Sequence, residues 1–367
     1  MSALLDSVEA ADAERWDRWS TPAGPAAQHG WFAALEAALS SSGPDRWTPA
    51  HLQGDGVLVP LFEREGWLGE FVWEEPIIDA CATSGLPYGP RAVGTIPWTP
   101  IRGPRVLTDP DGDRASLLAG APTQLLAACD ERGWTGAHLE FCADDEVDAF
   151  VAAGWIERLT WQHVWQRDPA VDRFLGHLPG KRRRELHREM RAFDEQGLRL
   201  EVLSGLEAPD AVWSAMPQLY ADTAARHGDP VPLGPIFFET VRERMAADVV
   251  FFAAFRGEEL VAATFQLRSD DALLGRIWGT REPHPFLHFN LAYHFPMRWA
   301  WEQGLDRFEP GHGGDYKRTR GGTTVLCRSV HHFAHPGLHR AVSAWARREA
   351  TWVRGRIAES STPTRPA

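Results

Sequence analysis

Between Val249 and Glu309 the chain spells out strands with a helix crossing over them, and this run limits the fold more than any other. Val249–Phe255 and Leu260–Leu267 are apolar and of strand length, and Arg256-Gly257-Glu258-Glu259 between them is a hairpin turn. Leu273–Trp278 reads as a third strand. A helical pattern from about Phe289 to Glu302 stops at Gly304, and the strand Asp306–Glu309 follows. Strands interleaved with helices in this way predict an α/β fold.

The first half uses the same grammar. Trp31–Leu39 has the apolar spacing of a helix, while Val57–Phe62, Trp67–Trp73 and Arg105–Thr108 read as short strands. A helix over roughly Pro122–Glu131 stops at Gly133 and feeds the strand Gly136–Phe141. The corner from Cys129 to Glu140 parallels the one from Trp301 to Glu309. That parallel points to duplication of an α/β unit, although any helix–glycine–strand corner shares it. A length of 367 residues accommodates two units. We expect halves at 1–170 and 201–355 with a cleft between them, a basic helical connector at 171–200 and a disordered tail at 356–367.

Composition removes several classes of function. At 44% hydrophobic and 24% charged, the sequence builds a core, and most of its 17 tryptophans must line that core or a cleft. A net charge of -12 argues against a surface that coats nucleic acid, but leaves room for a local basic site. Cys81, Cys129, Cys142 and Cys327 are scattered, which fits reduced thiols and no metal site. His331, His335 and His339 lie four apart, yet Pro336 and Gly337 break any helix that would align them as ligands. Asp222, Arg226 and His227 read as a helix C-terminus with favourable cations. Without a leader sequence or an apolar run of membrane-spanning length, a cytoplasmic protein is expected.

Two segments carry chemistry. Lys181-Arg182-Arg183-Arg184, continuing to Arg191, places six cations against two acids within eleven residues of an acidic chain. A solvated helix with acid–base pairs accounts for part of this pattern, and an anionic partner such as phosphate accounts for the local reversal of charge. Glu309-Pro-Gly-His-Gly-Gly-Asp-Tyr-Lys-Arg-Thr-Arg320 is a glycine-rich turn at a strand end. Alone it is also compatible with a plain surface loop. It nevertheless supplies the parts of acyl transfer to an amine: Glu309, Asp315 and His312 as base or relay, and Lys317 and Arg320 for the oxyanion or leaving group.

The second half resembles a bacterial family of N-acyltransferases related to the Fem peptidoglycan aminoacyltransferases and to the GNAT fold. The resemblance rests on Gly275-Arg276-Ile277-Trp278-Gly279, on Leu287-His288-Phe289 through Tyr293, on Phe308-Glu309-Pro310-Gly311 through Asp315-Tyr316-Lys317 and Arg320-Gly321, and on Ser329-Val330-His331. In the first half, Phe71-Val72-Trp73, the stretch Pro97–Arg105 and the basic segment are similar too, so coverage is roughly 30 to 350. It implies two GNAT-like halves in a Fem-like arrangement, with Arg276, Trp278, His288, Tyr293, Tyr316 and Lys181–Arg184 binding donor or substrate.

Three departures stand out: Asp315 in place of glutamate, Tyr316 in place of histidine, and Val164 where a histidine is expected beside Gln162 and Trp165. The segment Thr280–His288 holds two prolines and no glycine, unlike the loop with which GNAT enzymes grip a pyrophosphate. The favoured reading is therefore transfer of an aminoacyl group from aminoacyl-tRNA to an amine of a small molecule or peptide, with no resident cofactor. The rivals are an acyl-CoA-dependent acyltransferase and a binding protein of the same fold that has lost its relay.

Overall fold

In the computed structural model, which describes residues 2–39 and 45–361, the chain is α/β and folds as two compact units. The first comprises Met1–Trp161 with Leu326–Ala367, and the second Gln162–Val325. The boundary falls ahead of residue 170, inside the strand Ile156–Gln166, and the chain returns inside the strand Thr323–Phe333. The C-terminal helix Pro336–Ser361 therefore belongs to the first unit, where Leu338, Val342 and Ala346 pack with Ile77, Cys81 and Ile156. Residues 356–361 of the expected tail are helical, and 362–367 lie outside the described residues.

The first unit pairs the strands Thr48–Pro49, Phe62–Arg64, Arg91–Gly94, Gly136–Cys142 and the distal part of Thr323–Phe333 in that order. A small antiparallel sheet of Ala3–Leu5, His51–Gln53, Val57–Val59 and Leu107–Thr108 accompanies it. The run expected as one strand from Val57 to Phe62 breaks at Pro60, which has no N–H for a ladder. The expected strand Trp67–Trp73 is irregular, because Gly69 and Phe71 both take positive φ. Glu70 is turned inward there, where its carboxylate meets Arg91 at 2.6 Å.

In the second unit the sheet runs Arg199–Ser204, Val249–Arg256, Glu259–Arg268, Ala272–Thr280, Arg307–Glu309 and the end of Ile156–Gln166. Every pairing is antiparallel except that of Ala272–Thr280 with Arg307–Glu309. Helix Asp210–His227 packs so closely on Ala272–Thr280 that Gly279 faces the Leu219 backbone with no room for a methyl group. The basic helix Gly180–Asp194 is no connector. Its Leu186, Met190 and Phe193 are buried with Phe252, Leu291 and Phe308 in the core of this unit. That apolar stripe, at i, i+4 and i+7, holds the helix while its cations face outward.

Candidate functional site

The site of the second unit starts from a fork in its sheet. Ala272–Thr280 and Arg307–Glu309 pair only over Ala272–Leu274, after which the first strand continues alone on that side. On the other side the register jumps from Phe265↔Ile277 to Gln266↔Gly275 and skips Arg276, a bulge that re-aims this side chain. A cavity of about 170 Å³ occupies the fork, lined by Gln266, Arg276, Trp278, His288, Tyr293 and Pro310 among others. Crevices at the carboxyl ends of parallel strands are where open α/β sheets bind ligands. Burial, offset in part by Tyr220 and Glu309, pulls the Arg276 guanidinium down to about 10. Burial, followed by Lys317, also pulls His288 down to about 4, so its ring is a neutral wall of the cavity at pH 7.

Tyr293 lies in a π-helical turn, Asn290–His294, inserted between the helical segments Leu287–Phe289 and Phe295–Glu302. Such turns interrupt the normal ladder and often mark functional sites. The Tyr293 hydroxyl meets that of Tyr316 at 2.9 Å. Tyr316 is the second residue of the short helix Asp315–Arg320, which Gly314 and Gly321 bracket with positive φ. Two residues in this helix matter most. Lys317 is 3% exposed, and its ammonium donates to the carbonyls of Gly311 at 2.7 Å and His312 at 2.9 Å. Burial, followed by Arg276, lowers its pKa to about 8. Among the described residues no third acceptor meets it, and it stands 5.8 Å from the centre of the Tyr293 ring.

Asp315 is 79% exposed and stands 3.4 Å from Nε2 of His163, whose Nδ1 is 3.1 Å from the Thr324 hydroxyl. His163 was missed from the sequence. It lies one position before Val164, the residue read as standing in for a family histidine, and Val164 itself is a core residue at 1% exposure. Burial lowers the His163 pKa against the pull of Asp315.

The sequence matches, over residues 7–365, the FemAB-like family described as acting in peptidoglycan biosynthesis/recognition. The chain belongs to the FemAB-like family. Membership carries with it the acyltransferase class expected from the sequence. No curated protein matches the chain. Solved structures share the fold at low identity. The C-terminal domain of a putative lysylphosphatidylglycerol synthetase from Agrobacterium fabrum is 13% identical, with 93% of this chain and 97% of that one covered and a TM-score of 0.56. L-PGS from Bacillus licheniformis is 12% identical over 84% and 95% of the two chains, with a TM-score of 0.51. A conserved protein of unknown function from Bacteroides thetaiotaomicron is 10% identical over 91% and 100%, with a TM-score of 0.53.

Other expected site residues of this FemAB-like protein fall around the fork in different ways. Glu309 is 3% exposed, with one carboxylate oxygen 3.0 Å from Nε of Arg307 and the other buried without a partner among the described residues. His312 lies at the exposed rim of the loop, its carbonyl held by Lys317. Arg320 points away from the loop into a two-pronged ion pair with Glu189, at 3.0 and 3.1 Å. On the basic helix, Lys181 and Arg184 are exposed, Arg182 pairs with Glu185 at 2.7 Å, and Arg183 bonds the Leu178 carbonyl. Of the acid–base pairs expected along this helix, Arg182 with Glu185 forms, whereas Glu189 turns inward to Arg320.

In the first unit Glu74, His138 and His331 lie together, all buried. They do not make a convincing cation site. The two histidines, directly opposite on adjacent strands, bond each other through Nδ1 at 2.6 Å. The carboxylate of Glu74 is taken by Arg158 and Tyr88, and Arg91 adds further positive charge nearby. His335 and His339 bond backbone N–H groups of Leu338 and Phe333, as unrelated residues would.

Proposed function

We propose that this FemAB-like protein is an N-acyltransferase that moves an aminoacyl group from aminoacyl-tRNA to an amine of a small molecule or peptide, in the cytoplasm. The observation that carries this reading is Lys317, a buried ammonium with two N–H bonds committed to loop carbonyls and one uncommitted, beside an aromatic cavity. With a pKa of about 8 it is mostly charged at pH 7, as an oxyanion donor must be.

The steps balance as follows. The acceptor amine attacks the ester carbonyl of the donor, and Lys317 stabilises the resulting oxyanion. Neutral His163 accepts the proton that the amine loses, Asp315 stabilises the imidazolium so formed, and collapse expels the ribose oxygen, which takes that proton back. In the tautomer that donates Nδ1–H to Thr324, the Nε2 lone pair faces the loop. Glu309 offsets the charge of Arg276 and Arg307, and Arg276, Trp278, His288, Tyr293 and Tyr316 form the donor pocket. The exposed cations Lys181 and Arg184, with Arg182 and Arg183, contact donor phosphates. A peptide amine as acceptor is in keeping with the family's link to peptidoglycan.

One feature favours tRNA over acyl-CoA as donor. The helix after Thr280 starts at Leu287 behind Phe286 in a left-handed conformation, with no glycine to let backbone N–H groups close on a pyrophosphate. His163 beside Asp315 supplies a proton relay, which speaks against the reading of a degenerate binder that Tyr316 and Val164 suggested. Purified protein given charged tRNA and a primary-amine peptide should form an amide, and ribonuclease pretreatment should abolish it. Product formed from acyl-CoA and indifferent to ribonuclease would overturn the tRNA donor.

A further inference from the structure

The loop that carries Asp315 and Lys317 is rich in glycine, and four of its glycines, Gly311, Gly313, Gly314 and Gly321, take positive φ. Such a backbone does not hold a lysine in place unaided. The Lys317 bonds to Gly311 and His312 stay within the loop itself, so they move with it. Its ties to the rest of the unit include the Tyr316–Tyr293 hydroxyl contact and the long His163–Asp315 contact. The two-pronged pair of Arg320 with Glu189 has by far the most charge behind it.

Glu189 does more than neutralise one arginine. Its carboxylate also meets Nε2 of His294 at 2.7 Å, and its carbonyl accepts from Nδ2 of Asn290 at 2.9 Å. These two residues are the first and last of the π-helical turn that carries Tyr293. Arg320 in turn lies 3.7 Å from the ring centre of Phe289, the residue just before that turn. One buried acid on the basic helix thus joins both ends of the π-helical turn to the end of the lysine loop. Burial opposes its ionisation, but His294 and Arg320 hold the carboxyl below its usual range.

We infer that Glu189 is a positioning residue: by clamping Arg320 to the π-helical turn, it fixes where the Lys317 ammonium stands relative to the cavity. The inference deepens the acyl-transfer reading and rests on it for the role of Lys317. Its test does not require turnover, because only two of the 38 cationic residues are lysines, Lys181 and Lys317. An amine-reactive label, followed by mass spectrometry of the two peptides across pH, therefore reads Lys317 by itself.

In the wild-type protein the Lys317 label should rise with a midpoint near 8, the Lys181 peptide serving as the internal control for reagent and recovery. In Glu189→Gln the loop is released, and the Lys317 midpoint should rise by about two units toward the ordinary lysine value of about 10.4. Arg320→Gln should give the same shift, and the double variant no more than either single, since the two act as one clamp. With any donor that turns over, kcat should fall about tenfold while KM stays within about twofold. Should Glu189→Gln fail to fold, Glu189→Asp keeps the charge, shortens the reach, and should give part of the shift. A Lys317 midpoint that stays at the wild-type value in the folded variants would overturn the inference. Absence of turnover with charged tRNA in the wild type would overturn the donor reading and leave this result standing.

Discussion

His163 shows how a single residue escapes a sequence reading. It sits in Trp161-Gln-His-Val-Trp-Gln166, where Gln162, His163, Val164 and Trp165 are all buried, so no in–out alternation singles it out. Its partner Asp315 is 152 positions away, and strand pairing on both sides of the loop, with Arg307–Glu309 and Thr323–Phe333, brings the two segments together. The loop stood out in the sequence by its glycines and charges, and four of those glycines take the positive φ that such a turn requires. What it could not reveal was that Arg320 is spent on Glu189. Two predictions follow at this scale. Lys317→Ala should cost on the order of 10²-fold in kcat with the fold retained. His163→Gln should cost a similar factor and remove the acidic limb of the rate profile. Because the folded pKa of His163 lies below the usual 6.5, wild-type kcat should hold down to pH 6.5 and fall only beneath it. A wild-type acidic limb in the glutamine variant would move the base elsewhere, Glu309 being the next candidate.

At the level of elements, the second half was the more legible because its strands are long and nearly all apolar. The hairpin at Arg256–Glu259 and the stop at Gly304 stand where turn chemistry puts them. The first half was harder. Pro122 looked like a helix start, yet it lies inside the helix Arg114–Arg132. The sequence marks Gly279 only as the end of a family pattern, and the structure supplies the physical reason for a glycine there. Gly279→Ala would press a methyl group into the Leu219 carbonyl, so it should destabilise the fold by about 3 kcal/mol, seen as a drop in Tm. An unchanged Tm would mean that helix Asp210–His227 sits farther from the strand. For the basic helix, changing Arg182, Arg183 and Arg184 together to glutamine should leave Tm nearly unchanged, since none of them reaches the core. The same change should raise the KM for charged tRNA and lower its salt slope by roughly one unit per lost phosphate contact. A salt slope equal to that of the wild type would free the helix of any role with nucleic acid.

For the whole molecule, the buried histidines make acid the stress to which stability should answer most. His138 and His331 share a single hydrogen across 2.6 Å, and each Nε2 is buried without a partner among the described residues. Burial comes first, and with Arg91 and Arg158 it holds both pKa values well below 6.5. The sign follows directly. Below pH 6.5 the unfolded chain binds protons that the folded chain refuses, so the stability these groups contribute is complete above 6.5 and is lost as pH falls. Buried acids act in the opposite sense. Burial raises Glu140, and raises Glu146 to about 7, so they favour the folded state most below 4.5 and lose that contribution as pH rises through the folded value. Between 4.5 and 6.5 the two groups of residues therefore partly cancel, and the wild-type curve alone does not separate them. A difference measurement does. His138→Phe with His331→Leu removes both titrating rings from the core and leaves Glu140 and Glu146 in place. Denaturant midpoints recorded from pH 7.5 to 4.5 should show the double variant losing less stability than the wild type, with a slope smaller by up to about two protons. Parallel curves for the two proteins would mean that these histidines titrate alike in the folded and unfolded chains, and that acid acts on this fold elsewhere.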